Sequence, residues 1–299
     1  MTTTTMKQFF TLIMVLVVSL ISAQEVSYKV LAAKGKNAVE KATKPGDFTP
    51  LYTGMKLNSK DKIILGDGGY LGLAGSNGKT LELREKGIYN VADLAGKLAA
   101  DNSSLALKYV EYIFSDLQSK DGHTSNMSIT GSVERSAADI AVDVLCPGNT
   151  KILLTETQVN WAPVKDGIEE YHVAVSNFFD EEVYSFDTKE TTAKIDLASL
   201  NLNKEEAYKL TVVKKGESIE KGEQIVLKFP ETEEEKAASA MQSGDASAIQ
   251  NLVTASYMEN NGFYLNSTEL YRKAAEQEPS VEDFRKSYEN YLDRIGSSK

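Results

Sequence analysis

Residues 61–83 read DKIILGDGGYLGLAGSNGKTLEL, in which apolar runs alternate with two glycine-rich breaks. Glycines spaced in this way can belong to a phosphate-binding loop, but such a loop opens a helix and needs glycine at set positions. A dinucleotide fingerprint that starts at Gly66 would need glycine where Leu71 stands. A Walker A loop that ends in Gly78, Lys79 and Thr80 would need glycine where Leu73 stands. No helical pattern follows either. The stretch therefore predicts strands joined by turns that need positive φ, and no nucleotide site.

The same pattern extends over residues 25–96, where short alternating strands are cut by turns rich in Gly, Asp and Asn. We expect a small all-β domain, with Asp61 and Asp67 as turn formers more readily than as cation ligands. A pattern of apolar residues and glycine turns is formed by Pro50, Leu51, Gly54, Leu57, Ile64, Gly66, Gly68, Leu71, Leu73, Gly78, Leu81 and Leu83. In these positions the region resembles a FecR-like β-domain.

The N-terminus has the composition of an export signal. Lys7 precedes the apolar run FFTLIMVLVVSLIS, and small residues lead to Ala23, after which polar sequence begins. This order predicts a cleaved signal peptide over residues 1–23, with an uncleaved anchor as the alternative. We therefore expect an exported protein. Together with the FecR-like resemblance, export implies a protein of the bacterial cell envelope, in the periplasm or at the cell surface, with the periplasm favoured. No membrane span is expected after cleavage.

The net charge and the cysteine content restrict the partners and the disulfides that we expect. The formal net charge of -10 disfavours a nucleic-acid partner, because phosphate backbones are bound by clustered Lys and Arg. Cys146 is the single cysteine, so no internal disulfide is possible. Its alternating apolar context favours a buried, inert thiol over an intermolecular bridge or a nucleophile.

Residues 97–138 are expected to form a helix followed by a flexible linker, and residues 139–230 return to the alternation of strands. About seven short strands separated by polar turns predict a β-sandwich. The segments VNWAPV, EEYHVAV and LASLNLNKEEAYKLTVV resemble a fibronectin type III or immunoglobulin-like domain. The resemblance implies that Trp161 fills the core and that the Tyr208 hydroxyl forms a hydrogen bond with the backbone of the preceding connection.

Residues 231–299 are expected to be helical, beginning with a capping box at Thr232 and Glu235. A pattern of small, aromatic and turn residues is formed by Ala255, Gly262, Ser267, Tyr271, Ala274 and Pro279. In these positions the segment resembles one tetratricopeptide-like helical hairpin, although Asn251 and Met258 stand where that pattern has Trp and Tyr. A single repeat cannot bury its own apolar face, so it must pack on the sandwich, on its own extra helices or on another chain. The fold class is thus multidomain, with β-domains followed by α-helices.

Residues suited to catalysis are few. His123 falls in the predicted linker, and His172 lies on the strand face opposite Tyr171. The sequence contains no zinc-type His and Cys spacing and no calcium loop, and adjacent acids such as Glu169 and Glu170 fit solvated turns. We therefore predict no catalytic, cofactor-binding or metal-binding residues and a non-enzymatic protein. A hydrolase with an unrecognised carboxylate pair is the least favoured alternative.

Aromatic side chains supply the candidate contacts with partners. In the first domain Tyr52 and Tyr70 could stack on sugar or peptide; the other candidates are Phe178, Phe179, Tyr257 and Tyr264. Core or edge packing is the alternative reading of each aromatic. The sequence as a whole predicts a scaffold or protein-interaction module with an envelope protein as partner. The alternative is a protein that binds the cell wall or a surface polysaccharide.

Overall fold

The computed structural model describes residues 27–97, 112–113, 142–162, 170–242 and 244–296. The expected layout is confirmed at the level of class, because a β region of several sheets is followed by C-terminal helices. The predicted signal peptide over residues 1–23, His123 and most of the helix and linker over residues 97–138 lie outside the described residues.

The first β unit, residues 27–97, consists of two four-stranded antiparallel sheets packed face to face. One sheet has the strand order β4-β1-β6-β7 and the other the order β3-β2-β5-β8. Leu57 and Leu73 of the first sheet meet Val39 and Ile63 of the second in an apolar core. The strands are β1 (Tyr28–Lys34), β2 (Asn37–Glu40), β3 (Phe48–Pro50), β4 (Lys56–Leu57), β5 (Lys62–Leu65), β6 (Tyr70–Gly75), β7 (Thr80–Leu83) and β8 (Gly87–Asn90). A short 3-10 helix, Val91–Lys97, follows β8.

The three strands predicted within residues 61–83 are present as β5, β6 and β7, and both glycine breaks are turns. Gly68 and Gly78 have φ values of 63° and 80°, a region that L-residues with a Cβ rarely adopt. The first turn carries the chain from one sheet to the other, whereas the second closes the β6–β7 hairpin. A Cβ on Gly69 would lie 2.5 Å from the Asn37 side chain, so this turn also requires a close backbone approach.

Asp61 is a buried turn former, as the sequence indicated. Its carboxylate accepts hydrogen bonds from the backbone N–H groups of Asn58 (2.9 Å) and Ala42 (3.1 Å) and from the Lys41 ammonium group (2.9 Å). Burial alone would raise the pKa of Asp61, but these donors outweigh it and hold the pKa below its ordinary value. The ionised carboxylate therefore stabilises the folded state.

We expect Asp61→Ala to lower the free energy of unfolding at neutral pH by about 1–2 kcal/mol, the usual loss for a capping side chain. Because the folded pKa is depressed, this contribution is present above the unfolded pKa and is lost as the pH falls through the folded pKa. Urea unfolding at neutral pH and at a series of pH values below about 4 measures the difference. Asp67→Ala, in an exposed turn, is the control. A loss that stays constant with pH would contradict the assignment.

The central β unit, the described residues of 142–230, pairs a two-stranded sheet with a five-stranded one. The strand orders are β10-β13 and β12-β11-β14-β15-β9, in which only the β9–β15 pair is parallel among these described strands. The strands are β9 (Asn149–Lys151), β10 (Glu156–Asn160), β11 (Tyr171–Ser176), β12 (Glu182–Thr188), β13 (Thr192–Asp196), β14 (Tyr208–Lys214) and β15 (Gln224–Lys228). Two short 3-10 helices, Leu197–Leu200 and Ile219–Lys221, connect strands of this unit.

Trp161 and Tyr208 occupy the structural roles expected of them. Trp161 is buried and its ring meets the Tyr171 ring edge-on at 5.4 Å. The Tyr208 hydroxyl accepts a hydrogen bond from the backbone N–H of Asn203 (2.9 Å), which straps the connection that precedes β14. Cys146 is also buried in this core, as predicted.

The helical segment, the described residues of 231–296, follows. Its helices are α1 (Thr232–Met241), α2 (Ala248–Asn260), α3 (Tyr264–Gln277) and α4 (Glu282–Gly296). The predicted capping box at Thr232 is wrong, since Thr232 is already the first helical residue and Glu231 occupies the N-cap without a side-chain bond. The capping box lies instead at the start of α2, where Ser247 and Gln250 bond reciprocally. Among the described residues, no helix is long and apolar enough to cross a membrane.

Candidate functional site

The helical segment contacts both β units, and its first interface is with β1, β6 and β7. The Glu82 carboxylate on β7 accepts hydrogen bonds from the Tyr70 hydroxyl (2.8 Å) and from the backbone N–H of Ile249 in the first turn of α2 (3.0 Å). Burial raises the pKa of Glu82, but these donors and Arg84 outweigh it and hold the pKa below its ordinary value. Arg84 also forms an ion pair with Glu278 after α3 (2.7 Å). A carboxylate of one unit thus caps a helix of another.

The start of α4 supplies a second polar contact with the first β unit. The Asp283 carboxylate accepts hydrogen bonds from the backbone N–H of Ala33 (3.1 Å) and from the Thr53 hydroxyl (3.0 Å). Burial raises the pKa of Asp283, and these two bonds offset the shift only in part. Beside it the Phe284 ring meets the Tyr70 ring edge-on at 5.8 Å.

On its other side the helical segment is bonded to the central β unit. The backbone N–H of Lys151 donates to the Gly262 carbonyl (2.8 Å), and the backbone N–H of Tyr264 donates to the Thr150 hydroxyl (2.9 Å). Lys151 also forms an ion pair with Glu234 on α1. Two of the expected packing partners of the hairpin are present, the extra helix α4 and the central β unit, and the first β unit is a further one that was not expected.

A buried ion pair joins α2 to α4. Glu259, which is 3% exposed, accepts two hydrogen bonds from the Arg294 guanidinium group, at 2.7 and 2.9 Å. The hydroxyls of Tyr271 (2.9 Å) and Tyr112 (3.1 Å) donate to the same carboxylate. The bidentate geometry and the two hydroxyls together satisfy the buried charge. The cluster was not among the predicted sites, because its members are far apart in the chain.

Three of the predicted partner-binding aromatics are not at the surface. Tyr70 and Tyr257 are buried, and Tyr264 is half-buried between the helices and the central β unit. Tyr70 is enclosed because the helical segment covers the sheet face that it occupies. The structure therefore places these side chains in packing contacts, and they leave the set of exposed candidates.

Phe178 and Phe179 lie together at the tip of the β11–β12 hairpin, and both rings are exposed, at 57% and 85%. The tip is held by Asn177, whose side-chain oxygen accepts the backbone N–H groups of Phe179 (2.9 Å) and Glu181 (3.1 Å). Asp180, at a φ of 63°, forms an ion pair with Lys209, whose ammonium group lies 5.9 Å from the centre of the Phe178 ring. The two rings are thus presented on a fixed turn.

Tyr52 is exposed (60%), and so are two apolar side chains of the same β unit that were not among the predicted contact residues. Phe48 and Ile88 are exposed at 55% and 73%, on the two edge strands of the β3-β2-β5-β8 sheet. The two-residue spacing of Phe48, Pro50 and Tyr52 was the available signal, because alternate residues of a strand share a face.

His172 lies on the outer face of the central sheet, as expected, and its ring is held between two acids. Nδ1 lies 2.7 Å from an Asp187 oxygen and Nε2 lies 3.4 Å from a Glu182 oxygen. Burial lowers the pKa of His172, but the hydrogen bonds to these carboxylates outweigh it and raise the pKa above its ordinary value. In the described part of the chain, no three His, Cys, Asp or Glu residues are grouped so that they could hold a metal ion.

Comparison with known proteins finds no family model and no curated protein that matches the chain.

Proposed function

We propose that this protein is a non-enzymatic, exported component of the bacterial cell envelope that acts as a scaffold or interaction module for another envelope protein. The observation that carries the proposal is the hairpin tip at Phe178 and Phe179. Exposed aromatic side chains on a fixed turn are the usual anchors of protein interfaces, since little conformational entropy is lost when they bind. Polar contacts between the helical segment and both β units support a rigid base for that tip.

The proposal includes the compartment and the folds of the three parts. The apolar N-terminal run supports export, with the periplasm favoured over the cell surface. The two-sheet architecture supports a FecR-like fold for the first β unit. The strap from Tyr208 and the buried Trp161 support a fibronectin type III or immunoglobulin-like fold for the central β unit. The α2–α3 hairpin supports a tetratricopeptide-like unit.

Cross-linking in intact cells tests this function. A photoreactive phenylalanine analogue in place of Phe179 is expected to yield a discrete cross-linked envelope protein, and the same analogue at exposed Lys189, at the far end of β12, is not. With the isolated partner, Phe179→Ala should weaken binding by about thirtyfold, the loss typical of a central aromatic anchor. Equal labelling at both positions, or no labelled protein at either, would count against the proposal.

A second candidate function is the binding of a cell-wall or surface polysaccharide by the first β unit. The observation that favours it is a pair of exposed aromatic side chains, Phe48 at the start of edge strand β3 and Tyr52 two residues beyond its end. Aromatic rings with one open face can stack on the apolar face of a sugar ring.

A further inference from the structure

We propose that the outer face of the β3-β2-β5-β8 sheet binds an acidic polysaccharide, that is, a linear glycan bearing carboxylate or phosphate groups. This inference rests on the second candidate function and specifies its ligand. The outer face is the side of this sheet turned away from Val39 and Ile63, which are fully buried against the other sheet.

An apolar row crosses this outer face from one edge strand to the other. The strand register places Pro50 beside Ala38, Ala38 beside Ile64, and Ile64 beside Ile88. With Ile88 73% exposed, the row forms an open apolar stripe. Phe48 begins β3 and Tyr52 follows the end of that strand by two residues, so their Cα atoms are at most about 14 Å apart. A flat stripe bordered by two rings suits an extended polymer better than a compact ligand.

Cations flank the stripe on both sides. In the next register row Lys62 lies beside Glu40, with the ammonium group 3.6 Å from the carboxylate. On the other side Lys36 and Lys86 immediately precede β2 and β8, two residues before Ala38 and Ile88 of the apolar row, and both are exposed. Two carboxylates belong to this row: Glu40, which also accepts the backbone N–H of Gly46 (2.8 Å), and Asp93, which accepts a hydrogen bond from the Asn90 amide (3.0 Å). The outer face therefore offers more ammonium groups than carboxylates to a ligand.

The net charge of the first β unit has the same positive sign as the excess charge on the outer face. Residues 27–97 contain twelve Lys and Arg against seven Asp and Glu, a net charge of +5 in a chain whose formal net charge is -10. At physiological salt, charges interact over about 8 Å, so a bound polymer senses the local cations rather than the distant acidic surface. A second copy of this face would present the same lysines and repel the first. An anionic polymer with an apolar ring face complements both the lysines and the apolar stripe of the outer face.

Calorimetric titration of the purified mature chain tests the proposal with two forms of one polymer. Polygalacturonate is expected to bind, and its affinity should fall as the salt concentration is raised. It should also bind at least about tenfold more tightly than its fully methyl-esterified form.

Lys36→Glu with Lys62→Glu should weaken polygalacturonate binding by about tenfold or more. Lys189→Glu with Lys221→Glu, the same charge change at exposed sites of the central β unit, should leave it within about twofold. Tyr52→Ala should weaken both forms.

Each contrary result has a distinct meaning, once circular dichroism and thermal unfolding show that the exposed-site variants fold. Equal binding of both polymer forms would overturn the acidic ligand and leave the polysaccharide function intact. Binding of neither form would overturn both. Lysine-dependent binding to equimolar phosphatidylcholine–phosphatidylglycerol vesicles, without binding to polygalacturonate, would identify an anionic membrane instead. Concentration-dependent dimerisation in sedimentation, lost in Ile88→Glu, would identify a second copy as the occupant.

Discussion

Glu259→Ala is expected to lower the free energy of unfolding by about 3–5 kcal/mol, the usual cost of removing one partner of a buried ion pair. The carboxylate is almost fully buried and receives four hydrogen bonds, from Arg294, Tyr271 and Tyr112. Alanine removes the acceptor and leaves the guanidinium group of Arg294 without this carboxylate in a largely buried position. Urea unfolding monitored by circular dichroism gives the difference, provided that the slope with denaturant stays unchanged.

Two further variants distinguish the loss of the buried ion pair from a general destabilisation of the helices by substitution. Glu289→Ala removes a half-exposed acid of α4 that pairs with Arg285, and it should cost less than about 1 kcal/mol. Combining Glu259→Ala with Arg294→Met removes both charges, and it should recover part of the loss because no charge then stays buried. If the double variant lost more unfolding free energy than the two single variants lose together, the ion pair would not be the source of the effect.

The sequence predicted the strands and turns of the first β unit well, because local chemistry decides them. Positive φ at Gly68 and Gly78, and the apolar runs between them, are properties of neighbouring residues. Tyr70 could not be placed in the same way. Strand β6 is buried on both faces, by the opposing sheet and by the helical segment, so alternation along YLGLAG cannot show which side is open.

Long-range contacts set the limit of sequence reasoning at the other sites too. Glu259 and Arg294 are 35 residues apart and on different helices, so no local pattern marks them as partners. Exposure of Phe178 and Phe179 depended on a turn that curls over Lys209, because two consecutive strand residues would have pointed to opposite faces. Phe48, Pro50 and Tyr52 show the reverse case, since their two-residue spacing was visible in the sequence.

Phe284→Ala is expected to destabilise the chain by about 3–5 kcal/mol and to loosen the helical segment from the first β unit. The ring is fully buried, it packs against Tyr70, and it is adjacent to the Asp283 carboxylate that bonds Ala33. Hydrogen exchange should therefore show the greatest loss of protection in α4 and β1.

Phe179→Ala is the matched control, because it makes the same chemical change at a ring that is 85% exposed, and it should change stability by less than about 0.5 kcal/mol. Similar losses for the two variants, or unchanged exchange in β1, would show that Phe284 does not fasten the helices to this sheet. A large loss confined to Phe284→Ala would mean that the helical segment, through one buried ring and the polar bonds beside it, holds the first β unit in place. The hairpin tip would then be free to change for binding without cost to the fold, since the side chains that stabilise the protein and those proposed to contact its partner are separate.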